Sequence, residues 1–183
     1  MNPKRLNQEN LLIIFSVCSL LSLALIAPDL FNYSEFYRAI DSVDFALVEI
    51  TMNSTLVDAG VVFITVEFSA TNPTGFDGMQ IPTVTCHLKY FMENQLRSLI
   101  GVTQSISPPA QLEPFQSTAI RINFTIEYSG QQQEFVRIFI GHLQLHPQQI
   151  EWLTIGQYVL QAYNYALAVQ FEPAMYTTTI NSR

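Results

Sequence analysis

GVVFITVEFSATNPTG, residues 60–75, is the stretch on which the fold turns. Val62, Ile64, Val66, Phe68 and Ala70 fall on every second position. Successive side chains of a strand point to opposite faces, so this period of two predicts a strand with one apolar face. Its β-branched and aromatic residues suit a pleated, half-buried surface. The run stops at Asn72-Pro73-Thr74-Gly75, where Asn favours an Asx-turn and Pro removes a ladder donor.

Strand texture extends outward in both directions. Val43–Met52 is β-branched and apolar, and Met79–Phe91 places Val84, Cys86, Leu88 and Tyr90 on one face. That pattern buries Cys86 as a small apolar filler and turns His87 outward. Arg97–Ile106 predicts a further strand, Pro108-Pro109 to Pro114 a loop, and Phe115–Tyr128 a strand with Ile120, Ile122, Phe124 and Ile126 inward. Beyond Gln131 the period changes, because Phe135, Ile138, Phe139, His142 and Leu143 recur at helical spacing until Pro147. After Trp152 the strand pattern returns over Tyr158–Phe171 and, past Pro173, over Met175–Ile180. The expected fold is mainly β: a Greek-key β-sandwich of about seven strands with one short late helix.

Leu11–Ala27 is an uncharged apolar run behind Lys4 and Arg5. At a helical rise of about 1.5 Å per residue it spans about 25 Å, and Leu30 and Phe31 extend it toward the roughly 30 Å of a hydrocarbon core. A cleaved signal peptide with Ser22-Leu23-Ala24 as its processing site is the rival reading, and the continuation of the run past Ala24 favours an uncleaved anchor. Lys4 and Arg5 prefer the cytoplasmic side. The expected organisation is a cytoplasmic N-terminus (1–10), a transmembrane signal anchor (11–31), a juxtamembrane stalk or short interfacial helix (32–42) and an extracytoplasmic domain (43–183). Phe31, Tyr33, Phe36 and Tyr37 suit the membrane interface, with Pro28 in a helix's first turn.

The whole chain carries a net charge of −7, and the residues beyond the run carry about −8. This acidity, without a Lys/Arg cluster, disfavours nucleic acid and anionic lipid as partners. Asn32-Tyr33-Ser34, Asn53-Ser54-Thr55 and Asn123-Phe124-Thr125 fit the N-glycosylation pattern, whereas Pro73 excludes Asn72. Asn123 is the strongest acceptor, since alternation aims it at solvent. Cys18 lies in the apolar run and Cys86 far from it, so no internal disulfide is expected.

The order of these elements resembles the late-embryogenesis-abundant (LEA) group 2, or WHy (water stress and hypersensitive response), domain. An N-terminal membrane segment leads to a Val/Ile/Phe strand ending in Asn72-Pro73, a strand of the Val84–Tyr90 type, a Pro-containing loop, an alternating strand and a late helix before a closing hairpin. The resemblance covers residues 43–180 and is most specific at Phe68-Ser69-Ala70-Thr71-Asn72-Pro73. It implies an immunoglobulin- or fibronectin-like sandwich associated with stress and defence, without a catalytic site or cofactor. The anchor and the scarcity of Lys distinguish this chain from soluble members.

Candidate chemistry is sparse. His142 and His146 are four apart, a spacing that suits a metal on one helix face, but Glu does not follow His142 and no third ligand is visible. A His near a helix C-terminus is the ordinary alternative. Asp41, Asp44, Asp58 and Asp77 sit where loop carboxylates could gather around Ca²⁺ or simply meet water. No nucleophile elbow, phosphate-cradling Gly loop or CxxC pair occurs. The expected function is a non-catalytic binding or structural module tethered to the cell membrane and in contact with its lipid bilayer. The alternative is an accessory subunit whose small anchor residues, Ser16, Cys18, Ser19, Ser22 and Ala24, pack against a protein partner. A lipid-binding sandwich is a weaker alternative.

Overall fold

The computed structural model describes residues 8–53, 61–127, 133–145 and 149–179. They form α1 (Gln8–Ile40), β1 (Asp44–Asn53), β2 (Val61–Thr71), β3 (Met79–Met92), β4 (Gln95–Leu112), β5 (Ser117–Glu127), α2 (Gln133–Leu145), β6 (Gln149–Ala162) and β7 (Tyr165–Thr179). The chain divides into two units, Met1–Asp41 and Ser42–Arg183.

The first unit is one continuous helix over its described residues. From Leu11 to Phe31 its apolar side chains face outward on all sides, from Leu12 at 62% exposure to Phe15 at 72% and Leu25 at 75%, whereas Phe36, Ala39 and Ile40 near its end are buried. A helix that is apolar all round is normally buried in protein or in lipid. Pro28 corrects one expectation, because it stands inside α1 instead of opening a second helix. The ring removes one backbone donor, a loss that apolar spans tolerate when neighbouring groups readjust. The segment expected as a stalk is therefore the last two turns of α1, closed by a backbone bond from Asp41 N–H to the Tyr37 carbonyl. There Tyr33 donates its hydroxyl to that of Tyr37 at 3.0 Å.

The second unit is mainly β, with two antiparallel sheets ordered β1-β2-β5 and β4-β3-β6-β7. In β2 the expected alternation appears, with Val62, Ile64, Val66, Phe68 and Ala70 all buried, and in β5 Ile120, Ile122, Phe124 and Ile126 face them from the next strand. The opposite sheet contributes Val84, Cys86, Leu88, Trp152, Tyr158 and Leu160. Connections β2–β3 and β4–β5 pass between sheets, and α2 lies in the return from β5 to β6. Phe139 of α2 is fully buried against Tyr90 (5.0 Å between centroids) and Trp152 (5.8 Å), so the helix caps one end of the core.

Three strand boundaries differ from the sequence expectation, each for a local reason. The loop expected at Pro108–Pro114 is strand as far as Leu112. Pro108 and Pro109 are tolerated because β4 is an edge strand and its pairing slips there, between the Ile81–Ala110 and Thr83–Ser105 pairs. Pro82 lies at the same slip in β3, where the missing donor coincides with broken register. The strand expected from Tyr158 to Phe171 is instead a hairpin, folding at Tyr163-Asn164 with Tyr163 at φ 52°. Phe115, expected to open a strand, occupies a turn at φ 58°, and β5 starts at Ser117.

The sheet edges are closed by side chains. The Gln104 amide of β4 donates to the Arg121 carbonyl (3.4 Å) and accepts from the Asn123 N–H (3.2 Å), imitating a strand beside β5. Across the other seam, Thr178 of β7 donates to the Ile50 carbonyl of β1 at 2.8 Å and accepts from Trp152 Nε1 at 3.0 Å. Covered edges resist pairing with other chains.

Candidate functional site

One end of the sandwich gathers the start of β1, the β2–β3 loop 72–78, the β4–β5 loop 113–116 and the β6–β7 turn 163–164. The organising residue is Asn72, fully buried at the end of β2. Its backbone N–H donates to the Gln116 carbonyl at 3.0 Å. Its side-chain Nδ2 donates to the carbonyls of Phe76 (2.9 Å) and Leu112 (3.2 Å), and Oδ1 accepts from Thr74 N–H (3.0 Å) and Thr74 Oγ1 (2.7 Å). Only a primary amide supplies two donors and an acceptor pair in this geometry. Thr74 Oγ1 in turn accepts from the Phe76 N–H at 3.2 Å, and the Thr74 carbonyl accepts from the Phe115 N–H at 3.2 Å. Asn72 thus fixes two loops from two sheets. Pro73, beside it, is exposed at the turn.

The network presents aromatic rings outward. Phe115 is 72% exposed and Tyr163 65%, and the half-buried Phe76 meets Tyr163 edge-on at 6.3 Å. Tyr165 and Leu167 follow on β7, exposed although they share the inner face with Ala162 and Leu160. Just inside, Phe45 stacks on Tyr158 (4.3 Å), Phe68 (4.9 Å) and Phe171 (5.4 Å). Burial, helped by the Asp44 carboxylate, pushes the Tyr158 phenol up to about 12. The charged residues at this end are the exposed Asp44, Asp77 and Glu113.

Phe76, Phe115 and Tyr163 did not emerge from sequence periodicity. The available signal was chemical: each aromatic stands among turn residues, in Gly75-Phe76-Asp77, Pro114-Phe115 and Tyr163-Asn164, where an ordinary core ring has nowhere to go.

The other candidates lie apart from this end. Asn123 is on the outer face of β5, with Thr65 Oγ1 donating to its Oδ1 at 2.9 Å. Asn53 is the last residue of β1 and exposed, while Ser54 and Thr55 fall outside the described residues. Asn32 falls within α1. His142 lies on α2, its ring 6.1 Å from Tyr90, and His146 is outside the described residues, as is Asp58. Among the described residues no three His, Cys, Asp or Glu side chains converge as a metal site would require. Cys86 is buried, and burial pushes its thiol up to about 12, the behaviour of an apolar filler and not of a nucleophile.

No protein-family model matches the chain, and comparison with curated protein sequences finds no match. Among solved structures, the chain is similar to a protein described as late embryogenesis abundant, at 11% identity and TM-score 0.46 over 93% of this chain and 88% of that one. An Arabidopsis thaliana protein gives 13% identity and TM-score 0.48 over 75% and 80%. A protein from Archaeoglobus fulgidus gives 12% and 0.42 over 75% and 100%.

Proposed function

We propose that this chain is a single-pass membrane protein whose β-sandwich, of immunoglobulin-like Greek-key type, stands outside the cytoplasm as a non-catalytic binding or structural module, stress-related as in the LEA group 2 domain it resembles. The observation that carries this reading is the surface of α1. Leucine, isoleucine and phenylalanine are exposed around its whole circumference from Leu11 to Ile26, a surface at home in lipid and costly in water. Lys4 and Arg5 support a cytoplasmic N-terminus. Asn123, Asn53 and Asn32 are then the glycan acceptors, Asn123 foremost.

Alkaline carbonate extraction, protease protection of sealed vesicles and glycosidase treatment test the reading together. The chain is expected in the membrane pellet, with its sandwich on the side away from the cytoplasm. A glycosidase-sensitive mass should be reduced by Asn123→Gln. Release by carbonate overturns the anchor.

A second reading, the accessory subunit, is favoured by one observation. Cys18, Ser19 and Ser22 line a concave face of α1 between Phe15, Leu23 and Ile26, a form that lets another helix approach closely. Purification in mild detergent separates the two: subunits retained in fixed ratio favour the complex, and a lone glycoprotein favours the free tether.

A further inference from the structure

The exposed rings at the Asn72 end need an occupant, since soluble surfaces rarely gather large apolar side chains without one. Phe115, Tyr163, Tyr165 and Leu167 are exposed there, between 42% and 72%. Phe115 stands in a loop pinned by hydrogen bonds to Thr74 and, through Asn72, to Leu112 and Gln116, while Tyr163, Tyr165 and Leu167 are held by the β6–β7 hairpin, so their projection is built into the fold.

Chain connectivity indicates the occupant. This is the end at which β1 begins, and only Asp41, Ser42 and Val43 separate Asp44 from the end of α1. Such a connection reaches at most about 13 Å. From Leu11 to Phe31, where its apolar side chains are exposed, the helix rises about 30 Å, close to the thickness of a hydrocarbon core, and the buried Phe36, Ala39 and Ile40 lie beyond that stretch. The aromatic end is therefore the part of the sandwich joined to α1 by the shortest length of chain. The opposite end, with the Met92–Gln95 turn and α2, is a full strand length away. Tyr, whose apolar ring carries a polar hydroxyl, is a residue favoured at a membrane–water boundary, and Phe115 adds apolar ring surface beside it.

Charge narrows the surface further. Asp44, Asp77 and Glu113 surround the rings, and no Lys or Arg lies in loops 72–78 and 113–116 or the 163–164 turn. Anionic headgroups would be repelled, while zwitterionic ones are compatible with this rim.

We infer that Phe115, Tyr163 and their neighbours form an interfacial foot that rests in the headgroup layer of a zwitterionic leaflet and holds the sandwich against the membrane. This rests on the anchor reading above. It adds a second membrane contact, and with it a defined orientation for the face presented to partners.

The test uses the full chain reconstituted in phosphatidylcholine vesicles, with acyl chains brominated near the headgroup or left unbrominated. Single probes Phe115→Trp and Tyr163→Trp sit on two different loops, and Leu96→Trp, exposed at the far end beside Phe91, is the control. Buried Trp152 gives a constant background that also reports folding. Both rim probes are expected to lose more than half of their emission to brominated lipid and to resist iodide, with the Leu96 probe behaving oppositely. Addition of phosphatidylserine should weaken the rim quenching.

Rim probes that match the control in vesicles resisting carbonate extraction overturn the foot and leave the anchor standing. Release of the chain by carbonate overturns both. Rim probes shielded from iodide yet unquenched by brominated lipid overturn the lipid assignment in favour of a second copy of the chain, which cross-linking between the probes' positions would then register.

Discussion

Asn72→Ala is the perturbation with the clearest magnitude, because every polar atom of the side chain has an assigned partner. It removes two donors, to Phe76 O and Leu112 O, and an acceptor shared by the Thr74 amide and hydroxyl. A net hydrogen bond contributes about 1 kcal/mol, and a buried group left unpaired costs about 1–3 kcal/mol. Thr74 and Phe76 are half-buried and water can replace part of what they lose, whereas Leu112 is buried and its carbonyl has no such access. The expected loss is about 3 kcal/mol, equivalent to a drop of roughly 10 °C in melting temperature for a domain of this size. Denaturant unfolding of the full chain in detergent, followed by the emission of the single buried Trp152, measures it.

Asn72→Asp sharpens the test. A carboxylate oxygen would then face the Phe76 and Leu112 carbonyls in place of Nδ2, so the folded state favours the protonated acid and the folded pKa lies above the unfolded value of about 3.9. The native state then binds more protons than the unfolded one, and stability falls as pH rises from about 4 through the folded pKa. Relative to wild type, Asn72→Asp should be worse at pH 7 than at pH 4.5. A loss below about 1 kcal/mol for Asn72→Ala would refute the central role assigned to the amide. So would a pH-independent penalty for Asn72→Asp.

Other expectations are checked more simply. Cys86 and Tyr158 both have folded pKa values raised to about 12, so their contribution is complete below the unfolded values near 9 and 10 and is lost as pH climbs from there toward 12; urea midpoints should decline above pH 9, and Cys86→Ala should flatten the first part of that decline. Gly156→Ala should be among the most damaging single changes, because the added methyl meets the Thr85 carbonyl of the neighbouring strand and the Phe171 ring, whereas Gly101→Ala meets only the exposed, rotatable His87 ring; paired thermal melts should separate them by several degrees. Gln104→Ala uncovers the β5 edge at Arg121 and Asn123 and trims a half-buried side chain opposite Val84, so light scattering is expected to report faster self-association with only a small fall in melting temperature.

The parts of this molecule that were legible in sequence are those where one local rule acts alone. Alternation in residues 61–71 and 117–127 fixed which side chains are buried, because a strand with one wet face tolerates only one register. Helical spacing from Ile138 to Leu143 found α2 for the same reason. The structure departs from the local pattern where tertiary context overrides it. Pro108 and Pro109 read as a loop, yet an edge strand with slipped pairing can absorb them. Tyr163-Asn164 carries only a weak turn signal, and Tyr158–Phe171 is apolar on both sides of it, so the hairpin was invisible until its two halves paired through Ala162 and Tyr165. The rim followed from these same two places. Phe76 and Phe115 belong to loops whose course is set by Asn72 reaching across 40 residues to the Leu112 carbonyl, a contact that no window of sequence contains, and Tyr163 is brought beside them by the β6–β7 hairpin. Local periodicity therefore locates the core, whereas the aromatic end depends on a buried amide, legible only as a turn residue, and on a hairpin that forms only when β6 and β7 pair.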